Sequence, residues 1–267
     1  MSGAAILASR AALRAGAGLV TAAVPESQQP IVAAALPEAL TLALAETAEG
    51  GLRAESLGRL LAAHKSRGFT ALAIGPGLGA RPDAAKAVIG ALGSLLIPAV
   101  VDADALNVLA LQPRDQVRAL LQRRGSPCVF TPHPGEAARL LRLKTRQIQE
   151  GRRLRAAQLA EAFGCVCVLK GSGTVVTDGK SFWINTTGNP GLAKGGAGDV
   201  LTGIIAGIWA QRLAAGGPEA ALEAAALGTY LHGLAADGAV RTKTTLALLA
   251  SDVIEALPDA IRKTGLR

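Results

Sequence analysis

The sequence predicts an α/β protein whose central sheet is mainly parallel and carries antiparallel edge strands. Val- and Ile-rich runs alternate with longer amphipathic runs, the pattern of parallel strands joined by helical crossovers. Three strand-like runs follow closely within residues 165–185, with Asp178 and Gly179 as a hairpin turn. The chain of 267 residues is half hydrophobic and only 3% aromatic, so we expect one aliphatic core and a single domain, 1–267.

The predicted elements follow one another without a linker, a repeat or a low-complexity segment. Short runs rich in β-branched residues predict strands over 19–24, 70–75, 99–102, 128–131, 165–170, 174–177 and 181–185. Apolar residues at helical spacing predict helices over 5–15, 28–35, 54–64, 83–92, 105–111, 114–123, 135–143, 145–163, 197–214, 218–237 and 245–257.

Hydropathy and cysteine usage limit the class of protein. No run of 18 apolar residues is free of charge, so we expect no membrane span and no membrane partner. No basic segment followed by an apolar core opens the sequence, so no signal peptide is expected. Cys128, Cys165 and Cys167 lie in apolar strand-like runs, which predicts reduced, buried thiols in a cytoplasmic protein.

The chain is basic, with a formal net charge of +8 and its densest basic run over residues 139–155. Nucleic-acid binding is one interpretation of such a run. Few aromatic side chains are present to stack on bases, and the run has helical spacing. A solvated helix face is therefore favoured, with no nucleic-acid partner, although a positive field also attracts polyphosphate substrates.

Four glycine-rich or polar motifs directly follow predicted strands. They are Gly75-Pro-Gly-Leu-Gly79, Asp102-Ala-Asp104, Thr131-Pro-His-Pro-Gly-Glu136 and Lys170-Gly-Ser-Gly-Thr174. In open α/β sheets, ligands bind beyond the carboxyl ends of the strands. We therefore predict that the four motifs form one rim of a ligand site.

Several members of this rim also have a structural interpretation. The glycines of 75–79 permit either close ligand approach or a plain turn. Asp102 and Asp104 form a metal pair, or Asp102 ends the strand while Asp104 caps the next helix. Asn107 fits either interpretation.

The segment 170–174 suits the phosphate or ribose of a nucleotide, although its spacing is not that of a Walker motif and a tight hairpin is the alternative. His133, between two prolines, binds a ligand hydroxyl or phosphate, or has a structural role. Glu136 can merely place charge at a helix start. Ser172 lies in a loop without a nucleophile-elbow motif, so nucleophilic serine catalysis is poorly supported.

The most informative segment is the glycine-rich run 185–203, in which a single carboxylate, Asp199, opens an apolar helical run. Glycines allow the backbone to approach a ligand, and a helix N-terminus favours anions. A carboxylate beside bound phosphate needs a function, and the usual one is to accept a proton from a hydroxyl while a phosphoryl group arrives. A loop followed by an ordinary acidic helix start is the alternative.

These motifs, together with 3–25, resemble the ADP-dependent NAD(P)H-hydrate dehydratases. The resemblance covers most of the chain, and TPHPGE together with NTTGNPGLAKGGAGDVLTG is its most specific part. It implies a ribokinase-like three-layer α/β/α fold. It also implies ADP-dependent conversion of hydrated NADH or NADPH, (6S)-NADHX or NADPHX, back to the reduced dinucleotide, with release of AMP and phosphate.

The resemblance also implies roles for individual residues, with Asp199 as the catalytic base. Substrate contacts are implied for Ala4, Gly77, His133 and Asp199, nucleotide contacts for Lys170, Gly171, Ser172, Gly173, Thr174 and Gly198, and phosphate contacts for the backbone of Gly195, Gly196 and Ala197. ADP is the expected co-substrate, and Mg²⁺ is expected to screen its phosphates, with no ligand residue assigned.

Family members begin this domain with an apolar strand and a Gly/Ser-rich turn. The sequence opens at Met1-Ser2-Gly3, so we expect that strand to be missing. The resemblance further implies an NAD(P)HX epimerase as functional partner and a homo-oligomer, expected to be a tetramer. The competing hypotheses are a kinase of the same fold acting on a vitamin-precursor alcohol, and a nucleotide-binding relic without turnover.

Overall fold

A computed structural model describes residues 1–79, 81–214 and 221–265. Helix α1, Ser2–Arg14, precedes the first pair of strands. Strands β1, Thr21–Pro25, and β2, Leu40–Leu44, pair in parallel as a separate two-stranded sheet. The sequence did not predict β2, because its Leu and Ala residues lack the β-branched signature and its pairing with β1 decides its conformation.

The central sheet has six strands, and its topology confirms the predicted fold class. The strands are β3, Leu72–Ile74; β4, Ala99–Val101; β5, Cys128–Phe130; β6, Val166–Leu169; β7, Val175–Thr177; and β8, Phe182–Ile184. They lie side by side in chain order. Strands β3 to β6 pair in parallel, and β7 and β8 add antiparallel edge strands.

Helices cover both faces of this sheet. After α1 they are α2, Gln29–Ala35; α3, Ser56–Arg67; α4, Pro82–Ser94; α5, Ala103–Ala110; α6, Arg114–Arg124; α7, Pro134–Leu141; α8, Thr145–Glu150; α9, Arg152–Phe163; α10, Ala197–Ala214; α11, Ala221–Ala239; and α12, Ala250–Lys263. Short 3₁₀ turns occupy Glu26–Gln28 and Pro190–Leu192.

Two helix predictions were wrong in detail, and a third is partly outside the described residues. The predicted helix 145–163 is two helices, because Gly151 interrupts it with a non-helical backbone (φ −134°, ψ 44°). The helix predicted from 245 begins at Ala250 instead, after a turn. Positions 218–220 of the helix predicted over 218–237 lie outside the described residues.

Alternate residues of the central strands face opposite cores, which makes the molecule three-layered. Val101 and Phe130 pack with α4 to α9 on one face. Val100 and Val129 pack with α1 and α10 to α12 on the other. Because parallel strands covered on both faces are apolar throughout, this arrangement explains the uninterrupted hydrophobic runs of the sequence.

Helix α10 is buried continuously from Val200 to Trp209 and packs along α1 with its glycines. A Cβ atom added to Gly203 would lie 2.1 Å from the carbonyl oxygen of Ala8, and one added to Gly207 would lie 2.4 Å from that of Ala12. The two helices therefore approach at backbone distance. This contact determines where α10 begins, and hence where Asp199 lies.

The cysteines are free thiols inside the sheet. Cys128, Cys165 and Cys167 are all buried, as predicted. Burial raises the pKa of each thiol, which makes these groups inert core residues. Within 1–79, 81–214 and 221–265, no helix combines the length and the apolar character that crossing a bilayer requires.

Candidate active site

The candidate site lies where strands β3 to β6 end and helix α10 begins. Gly75, Asp102, Thr131 and Lys170 each follow one of these strands. A Cβ atom added to Gly198, near the start of α10, would lie 3.3 Å from Lys170 Nζ and 3.7 Å from Asp102 Oδ2. The carboxyl edge of the sheet thus meets a helix N-terminus, an arrangement that favours a bound anion.

A buried ion pair lies at the centre of this edge. Lys170 Nζ donates to Asp102 Oδ1 at 2.7 Å, and Thr202 Oγ1 donates to Asp102 Oδ2 at 2.8 Å. The Asp102 side chain is 1% exposed and that of Lys170 is 19% exposed. Glu136 Oε2 lies 4.0 Å from the same Lys170 nitrogen. The sequence did not predict Thr202, although it lies one helical turn after Asp199.

Asp199 is the third residue of α10 and lies in the field of these charges. Burial is the largest cause that raises the pKa of Asp199 to about 6; the neighbouring Asp102 raises it further, Lys170 lowers it and Asp104 raises it. The carboxylate is therefore a stronger base than an exposed aspartate, yet it is mostly ionised at neutral pH. Those are the properties of a general base.

His133 and Glu136 form the capped start of α7. Glu136 Oε2 accepts from the His133 backbone N–H at 2.7 Å, and His133 Nδ1 accepts from the Gly135 N–H at 3.0 Å. Because Nδ1 is an acceptor, His133 Nε2 carries the proton in the neutral ring, and Glu136 Oε1 lies 3.4 Å from it. Glu136 thus has the structural role of a capping residue at this helix start. Burial raises the pKa of Glu136, and Lys170 lowers it.

The loop after β3 brings together two residues that the sequence analysis placed in the substrate site. Gly75 has φ +125°, and a Cβ atom there would lie 1.8 Å from the Asp102 carbonyl oxygen, so only glycine fits. Gly77 has φ +69°, and its added Cβ atom would lie 3.0 Å from Ala4 Cβ. Helix α1, which carries Ala4, also packs on α10, which carries Asp199.

Asp104 and Asn107 have partners that hold the fold. Asp104 Oδ2 accepts from the Gly79 N–H at 2.7 Å, and Asn107 Oδ1 accepts from Arg139 Nη1 at 2.8 Å. Asp102 occupies the N-cap position of α5 without a side-chain capping bond. Among the residues that the structure describes, no three His, Cys, Asp or Glu side chains cluster in a way that could hold a metal ion.

The predicted nucleotide segment forms a turn between β6 and β7. Gly171 and Gly173 have φ +134° and +61°, and Thr174 Oγ1 donates to the Gly171 carbonyl oxygen at 2.9 Å. Arg152 supports the turn from α9, since its Nη2 donates to the Leu169 carbonyl oxygen at 2.9 Å and its Nη1 to that of Lys170 at 3.3 Å. The sequence analysis placed Arg152 only among solvated basic residues, and nothing in its spacing indicated this role.

The predicted phosphate segment is a glycine turn that leads into α10. Gly196 has φ +89°, and its added Cβ atom would lie 2.8 Å from Leu7 Cδ1. The Val200 N–H already bonds the Gly196 carbonyl oxygen at 3.1 Å. The Ala197 N–H bonds the Lys194 carbonyl oxygen at 3.4 Å. The N–H groups of Gly198 and Asp199 have no carbonyl one turn earlier in the helix and are the groups that an anion at this end would meet.

Helix α11 anchors the first half of the glycine-rich run. Thr187 Oγ1 donates to the Tyr230 carbonyl oxygen at 2.9 Å. Asp237 accepts from the Gly188 N–H at 2.8 Å and from Asn189 Nδ2 at 2.9 Å. The sequence analysis missed these contacts, and Asp237 among small apolar residues was the one signal for them.

His232, also on α11, is a buried imidazole beneath the glycine turn. Burial lowers the pKa of His232 to about 4, a hydrogen bond to the backbone of Ala197 raises it and Lys170 lowers it again. The ring is therefore neutral at physiological pH. Its Nε2 atom has no hydrogen-bond partner among the described residues. The sequence analysis did not single out this histidine.

Two surface depressions lie elsewhere on the molecule. One of about 420 Å³ lies between α6, α7 and α9, and one of about 190 Å³ lies beside Arg81. Neither is lined by a residue of the candidate site. The site is thus assigned from converging side-chain and backbone chemistry and not from cavity size.

The comparisons with known proteins agree on one family. A family model described as NAD(P)H-hydrate dehydratase matches residues 1–259. The bifunctional NAD(P)H-hydrate repair enzyme Nnr of Moorella thermoacetica is 47% identical over 98% of this chain, which spans 47% of that protein. The ADP-dependent (S)-NAD(P)H-hydrate dehydratase of Neisseria meningitidis serogroup B is 37% identical over 89% of this chain and 73% of that protein.

Solved structures show the same fold. The ADP/ATP-dependent NAD(P)H-hydrate dehydratase of Bacillus subtilis, co-crystallized with ATP/Mg²⁺, aligns with a TM-score of 0.81 and 31% identity over 98% of this chain and 85% of that one. A ribokinase-like superfamily protein of Enterococcus faecalis aligns with a TM-score of 0.77 and 27% identity over 99% of this chain and 84% of that one. The predicted ribokinase-like fold is confirmed.

Proposed function

The chain belongs to the NAD(P)H-hydrate dehydratase family, and from that premise we propose that it catalyses the ADP-dependent dehydration of (6S)-NADHX and NADPHX to NADH and NADPH, with release of AMP and phosphate. It would act as a carbon–oxygen lyase in the repair of nicotinamide nucleotides. The observation that carries the proposal is Asp199, a carboxylate with a raised pKa at a helix N-terminus, beside the Lys170 ammonium group.

The residue roles in this proposal are those that the family resemblance implies. Asp199 accepts the proton of the hydroxyl on the hydrated nicotinamide ring. The backbone of Gly195, Gly196 and Ala197 stabilises the transferring phosphoryl group, in the manner of an oxyanion hole. The remaining contacts are substrate binding by Ala4, Gly77 and His133, and nucleotide binding by Lys170, Gly171, Ser172, Gly173, Thr174 and Gly198.

The proposed reaction has two steps, phosphoryl transfer and then elimination of phosphate. In the first, the ring oxygen bonds the β-phosphorus of ADP as the bond to the AMP oxygen breaks, and Asp199 takes the hydroxyl proton. In the second, the ring nitrogen donates electrons as the C–O bond breaks, phosphate leaves with the bonding pair, and the adjacent ring carbon loses a proton to solvent, which restores the reduced nicotinamide. The protein thus contributes chiefly positioning and charge stabilisation to phosphoryl transfer.

Mg²⁺ fits this site as part of the nucleotide complex. The described residues offer no clustered set of three metal ligands. Mg²⁺ commonly keeps several waters and binds substrate phosphates with few protein carboxylates. When bound, it would neutralise charge on the ADP phosphates.

Family membership does not by itself establish the co-substrate or the partners. We propose ADP as the phosphoryl donor, as the name of the Neisseria relative states for that protein. An NAD(P)HX epimerase is the proposed functional partner, since the Moorella relative is a bifunctional repair enzyme of about twice this length. The buried free thiols support the proposed cytoplasmic location.

We propose a homo-oligomer, with a tetramer as the expected form. Strand β8 supports self-association, because Phe182, Trp183 and Ile184 are large hydrophobic residues that are 39–46% exposed on an edge strand. Exposed apolar edges of this kind favour association. Light scattering on the purified chain measures its oligomeric state, and a monomer at micromolar concentration would exclude the proposed homo-oligomer.

The test of the proposed function follows the near-ultraviolet absorbance of reduced nicotinamide. Purified chain, Mg²⁺ and hydrated NADH are mixed, and ADP is added last. We expect an absorbance rise that requires ADP, with AMP appearing in step. ATP in place of ADP, and hydrated NADPH in place of hydrated NADH, give the donor and substrate preference.

The kinase hypothesis makes a different prediction for the same preparation. A small-molecule kinase of this fold would convert ATP to ADP with a vitamin-precursor alcohol and would leave hydrated NADH unchanged. A nucleotide-binding relic would bind ADP without turnover. Either result, obtained with folded protein, would contradict the proposed dehydratase.

A further inference from the structure

Asp102 has no role in the proposed reaction, yet it is the most buried charged group at the site. Its side chain is 1% exposed, and it does not cap α5. Both of its oxygens are engaged, one by Lys170 Nζ and one by Thr202 Oγ1. These bonds join the end of β4 to the end of β6 and to the first turns of α10.

A buried ion pair of this kind needs an explanation beyond stability. Removing two charges from water is unfavourable, and apolar side chains of similar volume often stabilise a fold equally well. The position of the Lys170 ammonium group adds a second unfavourable contribution. It lies at the start of α10, where the helix dipole favours anions and opposes cations.

One ligand, a phosphate, could bind both the Lys170 ammonium group and the N-terminus of α10. Lys170 Nζ would lie 3.3 Å from a Cβ atom added to Gly198, so it is at the helix start that also carries the N–H groups of Gly198 and Asp199. A phosphate bound there would satisfy both. Without a phosphate, the ammonium group needs a fixed anion to hold it against the helix N-terminus, and Asp102 is in direct contact with it at 2.7 Å.

We propose that Asp102 is a positioning residue that holds the Lys170 ammonium group at the N-terminus of α10, where it meets the β-phosphate of ADP. The inference deepens the proposed function and rests on it for the identity of the nucleotide. Thr202 fixes the orientation of Asp102 from α10 itself. Asp102 touches neither nucleotide nor substrate in this role.

Asp102 has a second effect, which is on the pKa of Asp199. Asp102 faces Asp199 from the end of β4, Asp104 faces it from α5 and Lys170 faces it from the end of β6. Asp102 is the larger of the two acidic contributions that raise the pKa of Asp199, and Lys170 opposes both. Loss of the Asp102 charge therefore lowers the basicity of Asp199.

The experiment compares ADP with AMP binding in Asp102→Asn, by calorimetry in the presence of Mg²⁺. The asparagine keeps the shape and can still accept from Thr202, but it has no charge to hold Lys170. We expect ADP affinity to fall about tenfold, while AMP affinity stays within about twofold, because only ADP carries the phosphate that Lys170 meets. A carbon-13 titration of the Asp199 carboxyl should show its pKa lowered, because the Asp102 charge that raises it is gone.

Lys170→Met and Asp104→Asn separate the two effects. Lys170→Met should cause the same selective loss of ADP affinity but raise the pKa of Asp199. Asp104→Asn, the matched carboxylate control, should lower that pKa by less than Asp102→Asn and leave ADP affinity within about twofold. If Asp102→Asn does not fold, Thr202→Val frees Asp102 while keeping its charge, and ADP affinity alone should fall.

An equal effect on ADP and AMP, or an unchanged ADP affinity, in Asp102→Asn would contradict the proposal. None of these measurements needs hydrated dinucleotide or turnover. Failure of the proposed function is read separately, from wild-type protein that binds ADP but does not regenerate NADH. Wild-type protein that binds no ADP would overturn both.

Discussion

At the scale of single residues, the site brings together carboxylates whose charges affect one another. Asp199, Asp102 and Asp104 interact through space, and the Lys170 ammonium group is the nearby cation that offsets them. A raised pKa on a catalytic carboxylate means that the folded state disfavours its charged form. Activity and stability should therefore respond in opposite directions when this charge is removed.

Asp199→Asn tests whether activity falls while stability rises when this charge is removed. We expect kcat for the dehydration to fall by about 10²–10⁴, the range for loss of a general base, with nucleotide binding retained. At pH 7 to 8 the variant should unfold at a higher denaturant concentration, with about 1 kcal/mol greater stability after allowance for solvent screening. Near-wild-type turnover would exclude Asp199 as the base.

Burial of His232 makes the stability of the fold depend on pH in the direction opposite to that of Asp199. Its pKa is about 4 in the folded chain against an ordinary 6.5, so between these values the unfolded chain binds a proton that the folded chain does not. Stability should be fully present above pH 6.5 and should fall as the pH decreases toward 4, by up to about 3 kcal/mol from this group.

Denaturant unfolding of His232→Gln at several pH values measures this contribution. The variant should lose less stability than wild type between pH 6.5 and 4. Asp199→Asn should change the slope the other way, because the raised pKa of Asp199 adds stability as the pH falls from 6 to 3.8. Parallel pH curves for His232→Gln and wild type would show that the imidazole is not buried in neutral form.

At the scale of elements, the packing of α1 against α10 positions the Asp199 carboxylate. Gly203 and Gly207 leave no room for a side chain between these helices. The two halves of the glycine-rich run also differ in their role. The residues around 187–189 anchor the run to α11, whereas Gly198 lies close to Lys170 and Asp102 at the carboxyl edge of the sheet.

Gly203→Ala tests the helix contact. The added methyl group would meet the Ala8 backbone, which cannot rotate away, so we expect a loss of at least ~2 kcal/mol of stability and a displaced α10. Gly58→Ala in α3 is the matched control, since its added Cβ atom meets nothing within 4 Å and should stabilise by ~0.5 kcal/mol. Equal thermal shifts in the two variants would contradict this packing.

At the scale of the whole molecule, ligand binding should stabilise the fold, because the site joins β4, β6, α7 and α10. We expect ADP with Mg²⁺ at about 100 times its Kd to add ~2.7 kcal/mol of stability. The corresponding rise in melting temperature is roughly 5–10 °C. Differential scanning fluorimetry measures the shift, and adenosine, which lacks phosphate, is the control that should give little change.

The fold class was accessible from the sequence because its causes are local. Alternation of β-branched runs with helical periodicity predicted the parallel sheet, and Asp178-Gly179 predicted the antiparallel edge. Strand β2 was missed because its residues have no strand preference of their own and depend on β1. The break at Gly151 was missed because a helical pattern continues across it.

The sequence by itself determined the fold class, the family and the positions of the candidate motifs, because glycines, prolines and carboxylates at strand ends are local signals. Only the tertiary structure decided what Asp102 contacts, that Arg152 supports the turn 170–174, and that His232 lies under the glycine turn. These depend on residues far apart in the chain, such as Asp102 and Thr202, meeting at one edge of the sheet. Burial and charge then set their chemistry, and neither property is encoded at a single position.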